Sequence, residues 1–123
     1  MGVRARLAVA EDDAGIREAV ATTLREQGHE VLEAVDGSAL LGILRAGSVQ
    51  LVVTDILMPG LRGDDVLRYH RSKGDKTPFV VITAASNPIV EMVEQVDAVT
   101  LLRKPFTEAA LIEAVDAGLK PAV

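Results

Sequence analysis

The sequence predicts an α/β fold, namely a doubly wound sheet of five parallel strands flanked by five helices. Five short apolar runs alternate with five longer stretches in which apolar residues recur at helical spacing. The runs are nearly all apolar, which is typical of strands covered on both faces of a sheet. The chain has 123 residues, enough for one buried core, so we expect a single domain over residues 1–123.

The first strand and helix lie at the start of the chain. Residues 7–10 form an apolar run that ends at an acidic cluster. Apolar residues from Ile16 to Leu24 then recur at helical spacing, and Gly28 provides the left-handed residue that often follows a helix. Val31 and its neighbour Leu32 predict the second strand.

The second helix is predicted after a turn at residues 36–38 and runs through Leu41 and Leu44. Gly42 inside it costs about 1 kcal/mol relative to alanine, so we expect a weak element. Residues 51–54 form the third apolar run and predict the third strand.

The second half of the chain continues the alternation. Val66 and Leu67 mark the third helix, and residues 79–82 predict the fourth strand. Residues 87–88 are Asn-Pro, a cap followed by a first helical residue, and predict the start of the fourth helix. Residues 98–102 predict the fifth strand, after which Thr107 is expected to cap the last helix.

The composition disfavours several classes of function. Cysteine is absent, which excludes disulfides, thiol catalysis and cysteine metal sites. The formal net charge of −5 disfavours direct nucleic-acid binding through a basic face. No apolar stretch is long enough for a membrane span. Because acids follow Arg4 and Arg6 closely, a secretory signal is not expected and the location is predicted to be cytoplasmic.

Polar side chains follow four of the five predicted strands, where a doubly wound sheet forms its binding sites. These residues are Glu11, Asp12 and Asp13 after the first strand, Asp55 after the third, Thr83 at the end of the fourth and Lys104 after the fifth.

The chemistry of this set is that of phosphoryl transfer. Carboxylates crowded together repel each other unless a cation is present, and hard oxygen ligands favour magnesium. A carboxylate such as Asp55 is a competent nucleophile toward phosphorus and gives an acyl phosphate. Lys104 can contact one phosphoryl oxygen as a point charge, and Thr83 can donate a hydrogen bond to another.

These motifs together resemble the receiver domain of two-component response regulators over essentially the whole chain. The matching segments are 11–12, 55–60 with Gly63, 83–84 and 104–106. The resemblance implies a flavodoxin-like sheet with strand order 2-1-3-4-5. It also implies Mg²⁺-dependent phosphoryl transfer from a phosphohistidine donor, which would be a histidine kinase or a histidine phosphotransfer domain.

The resemblance also assigns roles to single residues. Asp55 is the expected phosphoacceptor and a magnesium ligand, together with Asp12 and the backbone carbonyl of Leu57. Glu11 is expected to bind the magnesium ion through a water molecule, and Asp13 is expected to lie at the helix start. This assignment follows because Arg17 lies at the family's usual distance after Asp12. Thr83 and Lys104 are expected to contact the phosphoryl group. The family also implies a cis peptide bond between Lys104 and Pro105.

The chain departs from the family at the residue that usually changes position on phosphorylation. The family has two such switch positions, the threonine at the end of strand four and a residue in strand five. Here the first is Thr83, whereas the second, usually aromatic, is Leu101. The sequence therefore leaves open how phosphorylation of Asp55 is coupled to the face formed by the fourth helix, fifth strand and fifth helix. Ile89 and Met92 add apolar character there, which indicates a homodimer or effector surface.

Two further departures affect the loops. Leu57 and Ala85 stand where family side chains influence water access, and neither can position a water, so we expect slow hydrolysis of the acyl phosphate. Asp97 replaces a common glycine before strand five, where aspartate would tolerate a left-handed conformation.

The two histidines have ordinary interpretations. His29 is expected on the solvent side of a turn. His70 shares a helix face with Val66 and is expected to be a satisfied, partly buried histidine, with a pH-sensitive or kinase-facing role as the alternative.

Two other functions compete with a receiver. An aspartyl-phosphate phosphatase or mutase needs a second acid two residues after its nucleophile, and Leu57 stands there. A nucleotide or flavin binder needs a phosphate cradle after strand one, where this chain has acids. We therefore expect self-phosphorylation and slow autodephosphorylation, without turnover of a separate substrate. The sequence does not separate a free-standing receiver from one excised from a larger protein.

Overall fold

The computed structural model describes residues 4–84 and 88–120. Within them, five strands form one sheet in the order β2-β1-β3-β4-β5, and every neighbouring pair is parallel. The predicted fold class and strand order are confirmed. The strands are β1 (Arg6–Ala10), β2 (Glu30–Ala34), β3 (Leu51–Asp55), β4 (Phe79–Thr83) and β5 (Val99–Arg103).

Five helices connect the strands and cover both faces of the sheet. One core lies between the sheet and α1 and α5, and includes Leu24 and Val115. The other lies against α2, α3 and α4, and includes Leu40, Leu67 and Val93. The helices are α1 (Ala14–Glu26), α2 (Gly37–Ala46), α3 (Gly63–Ser72), α4 (Pro88–Glu94) and α5 (Glu108–Leu119).

Side-chain caps start three of these helices, as local sequence chemistry predicts. The Asp13 carboxylate accepts a hydrogen bond from the Ile16 N–H at 3.0 Å, which supports its expected position at the start of α1. Thr107 caps α5 in the same way. The predicted cap Asn87 lies outside the described residues. α2 continues through Gly42 without interruption.

The environment of His29 contradicts the sequence-based expectation. His29 is buried, and its Nδ1 accepts a hydrogen bond from the Ala5 N–H at 3.0 Å. Gly28 takes a φ of 95° just before it, and the His29 N–H bonds the Leu24 carbonyl, so the chain folds back over the start of β1. His29 is buried in its turn because its ring accepts the hydrogen bond of the Ala5 N–H, a backbone donor just before β1.

The residues around the start of β5 also differ in detail from the prediction. The left-handed residue is Ala98, with a φ of 57°, and not Asp97. The Arg71 guanidinium donates to the Asp97 carbonyl at 2.9 Å and 3.1 Å, which holds this turn against the end of α3.

His70 is buried, and only one side of its ring is satisfied. Its Nδ1 lies 3.2 Å from the Asp75 carboxylate, whereas Nε2 has no hydrogen-bond partner within the described residues.

Among the helices described, none combines the length and the apolar character that crossing a membrane requires.

Candidate functional site

The ends of four strands bring the predicted site residues to one edge of the sheet. Because parallel strands share a direction, their carboxyl ends meet at the same edge. Asp55 is the last residue of β3 and Thr83 the last of β4. Glu11 and Asp12 directly follow β1, and Lys104 directly follows β5.

Three carboxylates form a cluster at this edge. One oxygen from each of Glu11, Asp12 and Asp55 lies within 4.8 Å of the other two. Glu11 and Asp55 are buried, whereas Asp12 is exposed. A set of carboxylate oxygens, open to solvent on one side, fits a hard divalent cation such as Mg²⁺ that retains part of its water shell.

Lys104 already neutralises part of this negative charge. Its Nζ donates to Glu11 Oε1 at 2.8 Å and to Asp55 Oδ2 at 2.6 Å. Burial by itself lowers the pKa of Lys104, but the hydrogen bonds and charges of Asp55 and Glu11 outweigh it and raise that pKa. Lys104 is therefore a cation at neutral pH, held against the carboxylate that is the expected nucleophile.

The environment of Glu11 shows why the site needs positive charge. Burial raises the pKa of Glu11, the hydrogen bond from Lys104 lowers it, and the charge of Asp55 and a hydrogen bond with Asp12 raise it again, with a net increase. Burial and the neighbouring acids thus disfavour the ionised form of this carboxylate. A divalent cation would offset that penalty, which again matches the donor set.

Backbone contacts fix the orientation of Asp55. The Leu57 N–H donates to Asp55 Oδ1 at 3.2 Å, on the opposite oxygen from Lys104. Gly63 begins α3 directly against β3: a Cβ on it would lie 2.0 Å from the Asp55 carbonyl oxygen. The Gly63 N–H also donates to the Ile56 carbonyl at 3.0 Å. Glycine at this position therefore lets the helix close tightly on the strand end.

Thr83 and Lys104 are connected through the backbone. The Lys104 N–H donates to the Thr83 carbonyl at 3.0 Å, so the end of β4 is hydrogen-bonded to the segment after β5. Thr83 is buried. The Lys104–Pro105 peptide bond is cis, as the resemblance implies.

Not every predicted site residue lies in the cluster. The Leu57 side chain is 53% exposed, and the predicted magnesium ligand is its backbone carbonyl. Leu101 lies within β5, partly buried against the core on the α2–α4 side. Ala85, predicted to affect hydrolysis, lies outside the described residues.

Sequence reasoning missed the residues that support the acidic turn. Arg17 donates to the Glu11 carbonyl at 2.9 Å and lies 3.4 Å from the Glu33 carboxylate. The position of Arg17 was part of the resemblance, but no pattern pointed to Glu33, which is an ordinary polar residue in β2.

A family model for the response regulator receiver domain matches residues 7–116 of this chain. The chain belongs to this family. Receiver domains are signalling modules of two-component systems. The residues of the carboxylate cluster and Lys104 all lie within the matched segment.

Individual relatives agree with this assignment. Response regulator MprA of Mycolicibacterium vanbaalenii is 35% identical over 117 residues, which cover 94% of this chain and 50% of that protein. Transcriptional regulatory protein PdtaR of Mycobacterium tuberculosis is 37% identical over 113 residues, covering 90% of this chain and 55% of that one. The chain thus spans about half the length of these curated relatives.

A solved structure extends the similarity to three dimensions. The chemotaxis protein CheY4 of Vibrio cholerae superposes with a TM-score of 0.85 at 26% identity, covering 95% of this chain and all of that one. The sheet order and the placement of helices therefore belong to the receiver domain as a family.

Proposed function

We propose that this chain is a phosphoacceptor receiver in which Asp55 takes a phosphoryl group from a phosphohistidine donor in the cytoplasm. The observation that carries the proposal is the contact of Lys104 with both Asp55 and Glu11 at the ends of three separate strands. A buried carboxylate beside a fixed cation suits positioning and electrostatic stabilisation of a transferring phosphoryl group, which supports the proposal.

In the proposed step an Asp55 carboxylate oxygen attacks phosphorus. The new O–P bond forms as the N–P bond of the phosphohistidine breaks, and the imidazole nitrogen keeps the electron pair. The Leu57 N–H holds the other carboxylate oxygen, and Lys104 can transfer its contact from the carboxylate to a phosphoryl oxygen. Thr83 donates its hydroxyl to a second phosphoryl oxygen.

The residues that would hold Mg²⁺ are Asp12, Asp55 and the carbonyl of Leu57, with Glu11 acting through water. The support for this assignment is the convergence of the three carboxylates and the raised pKa of buried Glu11. When bound, the ion supplies positive charge that offsets repulsion between the carboxylates and the phosphoryl oxygens.

The donor is proposed to be a histidine kinase or a histidine phosphotransfer domain. A cavity of about 630 Å³ lies beside Lys104, between α1 and the start of α5, and has a mainly apolar lining that includes Ile16, Phe106 and Leu111. An apolar surface that adjoins the nucleophile can receive a helix carrying the phosphohistidine.

Output is proposed to pass through Thr83 and Leu101 to the face formed by α4, β5 and α5. Leu101 is partly buried, so a change of its rotamer would alter packing at that face. The face would then bind a second copy or an effector.

The acyl phosphate is expected to hydrolyse slowly, because the exposed Leu57 side chain is unable to position a water molecule for the attack.

Incubation with acetyl phosphate and Mg²⁺, followed by intact-mass measurement, tests the proposal. One stable phosphoryl group should be added to the wild type and to a control Asp116→Asn variant, whose substitution lies at an exposed position of α5. Asp55→Asn should add none. Phosphorylation of Asp55→Asn at the wild-type rate would overturn the assignment, and multiple turnover of a phosphate ester would instead indicate a phosphatase.

A further inference from the structure

We propose that Arg17 is a positioning residue for the cation site, because it fixes the peptide that joins the two acids after β1. The inference rests on the proposed function in that it takes Glu11 and Asp12 as ligands of Mg²⁺. It goes further by assigning a role to a side chain that touches neither the phosphoryl group nor the ion.

The backbone of Glu11 is held from both sides. Its N–H donates to the Ala34 carbonyl at 3.1 Å, and its carbonyl accepts from the Arg17 guanidinium at 2.9 Å. That carbonyl belongs to the peptide between Glu11 and Asp12. Arg17 therefore sets the plane of the peptide that determines how the two carboxylates are presented together.

The guanidinium of Arg17 is itself anchored. It lies 3.4 Å from the Glu33 carboxylate, and that carboxylate is also bound by Arg25 at 3.1 Å. The Arg17 side chain is 15% exposed, so it is enclosed where it bridges β2 and the acidic turn. A planar guanidinium can keep two such contacts at fixed angles. In contrast, the Asp12 side chain is exposed.

Arg17 should affect cation binding in two opposite ways, through its positive charge and through its contact with the Glu11 carbonyl. Arg17 carries a positive charge near the site and repels a divalent cation, so losing the charge alone should tighten Mg²⁺ binding. Losing the contact with the Glu11 carbonyl frees the peptide to rotate and should weaken binding. The sign of the change therefore separates the two effects.

The test compares Arg17→Met with the matched control Arg25→Met by calorimetric titration with Mg²⁺. Both variants remove one positive charge and one contact to Glu33, but only Arg17 reaches the Glu11 carbonyl. We expect the dissociation constant of Mg²⁺ to rise about tenfold in Arg17→Met and to change less than about twofold in Arg25→Met. Equal or tighter binding in Arg17→Met would overturn the inference.

A readout without metal adds a second test. Hydrogen exchange of the Asp12 amide, which lies on the same peptide as the Glu11 carbonyl, should accelerate in Arg17→Met and stay unchanged in Arg25→Met. If Arg17→Met does not fold, Glu33→Gln, which weakens the anchor of Arg17, should accelerate exchange of the Asp12 amide to a smaller extent in the absence of metal. An unchanged exchange rate there would count against the inference.

The two proposals fail in distinguishable ways. A wild-type protein that binds no Mg²⁺ would overturn the proposed cation site. A wild type that binds Mg²⁺, with an Arg17→Met variant that binds it equally well, would leave the cation site standing and overturn only the role of Arg17.

Discussion

Lys104 holds two carboxylates that would otherwise repel each other in a partly buried cluster. Glu11 and Asp55 both reach its Nζ, and a third acid, Asp12, lies close to them. The ammonium therefore acts as a counterion before any divalent cation or phosphoryl group arrives. This double contact lets a single lysine contribute to stability as well as to the proposed chemistry.

Replacing Lys104 by methionine tests that contribution. The substitution leaves the buried carboxylates without their cation, so the free energy of unfolding without metal should fall by roughly 1–3 kcal/mol. Mg²⁺ should restore more stability to this variant than it adds to the wild type, because it replaces the missing charge. Urea unfolding with and without Mg²⁺ measures both effects.

Lys73→Met provides the control for this substitution. Lys73 lies on the surface just after α3, away from the acids, and its loss should change the unfolding free energy by less than about 0.5 kcal/mol. Equal unfolding free energies for Lys104→Met and the wild type would contradict the counterion role.

Asp75 gives stability a predictable dependence on pH. The Thr77 hydroxyl lowers the pKa of Asp75 below 3.8, burial opposes this, and the Thr77 N–H and His70 lower it further. A carboxyl with a lowered pKa stabilises the fold when ionised, and this contribution is lost as the pH falls below 3.8. Asp75→Asn should therefore be less stable than the wild type at pH 7, by no more than about 1 kcal/mol because the group is partly exposed.

The check is a series of thermal unfolding curves from about pH 7 down to about pH 3. The difference between Asp75→Asn and the wild type should shrink as the pH falls. A difference that stays constant across the whole range would show that Asp75 acts through packing and not through its charge.

The start of α3 illustrates how an element positions the site. Gly63 lies against the end of β3, and a Cβ there would lie 2.0 Å from the Asp55 carbonyl oxygen. The tight approach packs the start of α3 directly against the end of the strand that carries Asp55. A side chain at this position has to push the helix away from the strand that carries Asp55.

Gly63→Ala should therefore reduce both stability and phosphorylation. We expect a loss of about 2 kcal/mol or more in the unfolding free energy and a slower reaction with acetyl phosphate. Gly42→Ala is the matched control, because a Cβ on Gly42 meets no atom within 4 Å and α2 is already helical there. It should gain about 0.5–1 kcal/mol and phosphorylate normally. Equal behaviour of the two variants would contradict the proposed close packing.

The boundaries of the elements could be predicted closely, because their signals are local. The cap at Asp13 and the left-handed Gly28 mark the two ends of α1 in the sequence and in the structure. The region before β5 was harder. Ala98 adopts the left-handed conformation that glycine usually takes, and the contacts of Arg71 that stabilise this turn come from a distant helix.

The face of α4, β5 and α5 is where the molecule as a whole would communicate its state. Met92 on α4 is 52% exposed, while Leu101 on β5 is partly buried. An exposed methionine on a helix that contacts β5, the strand of the proposed switch residue, fits a surface whose packing changes on phosphorylation. We propose that this surface pairs with a second copy of the chain in the activated state.

Sedimentation of the beryllofluoride-treated protein tests the pairing. Beryllofluoride imitates the phosphoryl group, so the treated wild type should sediment as a dimer and Met92→Glu as a monomer. Tyr69→Ser, which alters an exposed apolar residue on α3, should still dimerise. A wild type that remains monomeric at high concentration after treatment would argue against a homodimer and favour an effector protein as the partner.

The sequence by itself determined the strand and helix pattern, the edge of the sheet that carries the site and the residues present there. It could do so because apolar periodicity is local, and because parallel strands necessarily deliver their following residues to one edge. Only the tertiary structure decided that Glu11 is buried and Asp12 exposed, that Lys104 binds two acids at once and that His29 is internal. Those properties depend on distances between segments far apart in the chain, and burial and electrostatics are set only once these segments pack together.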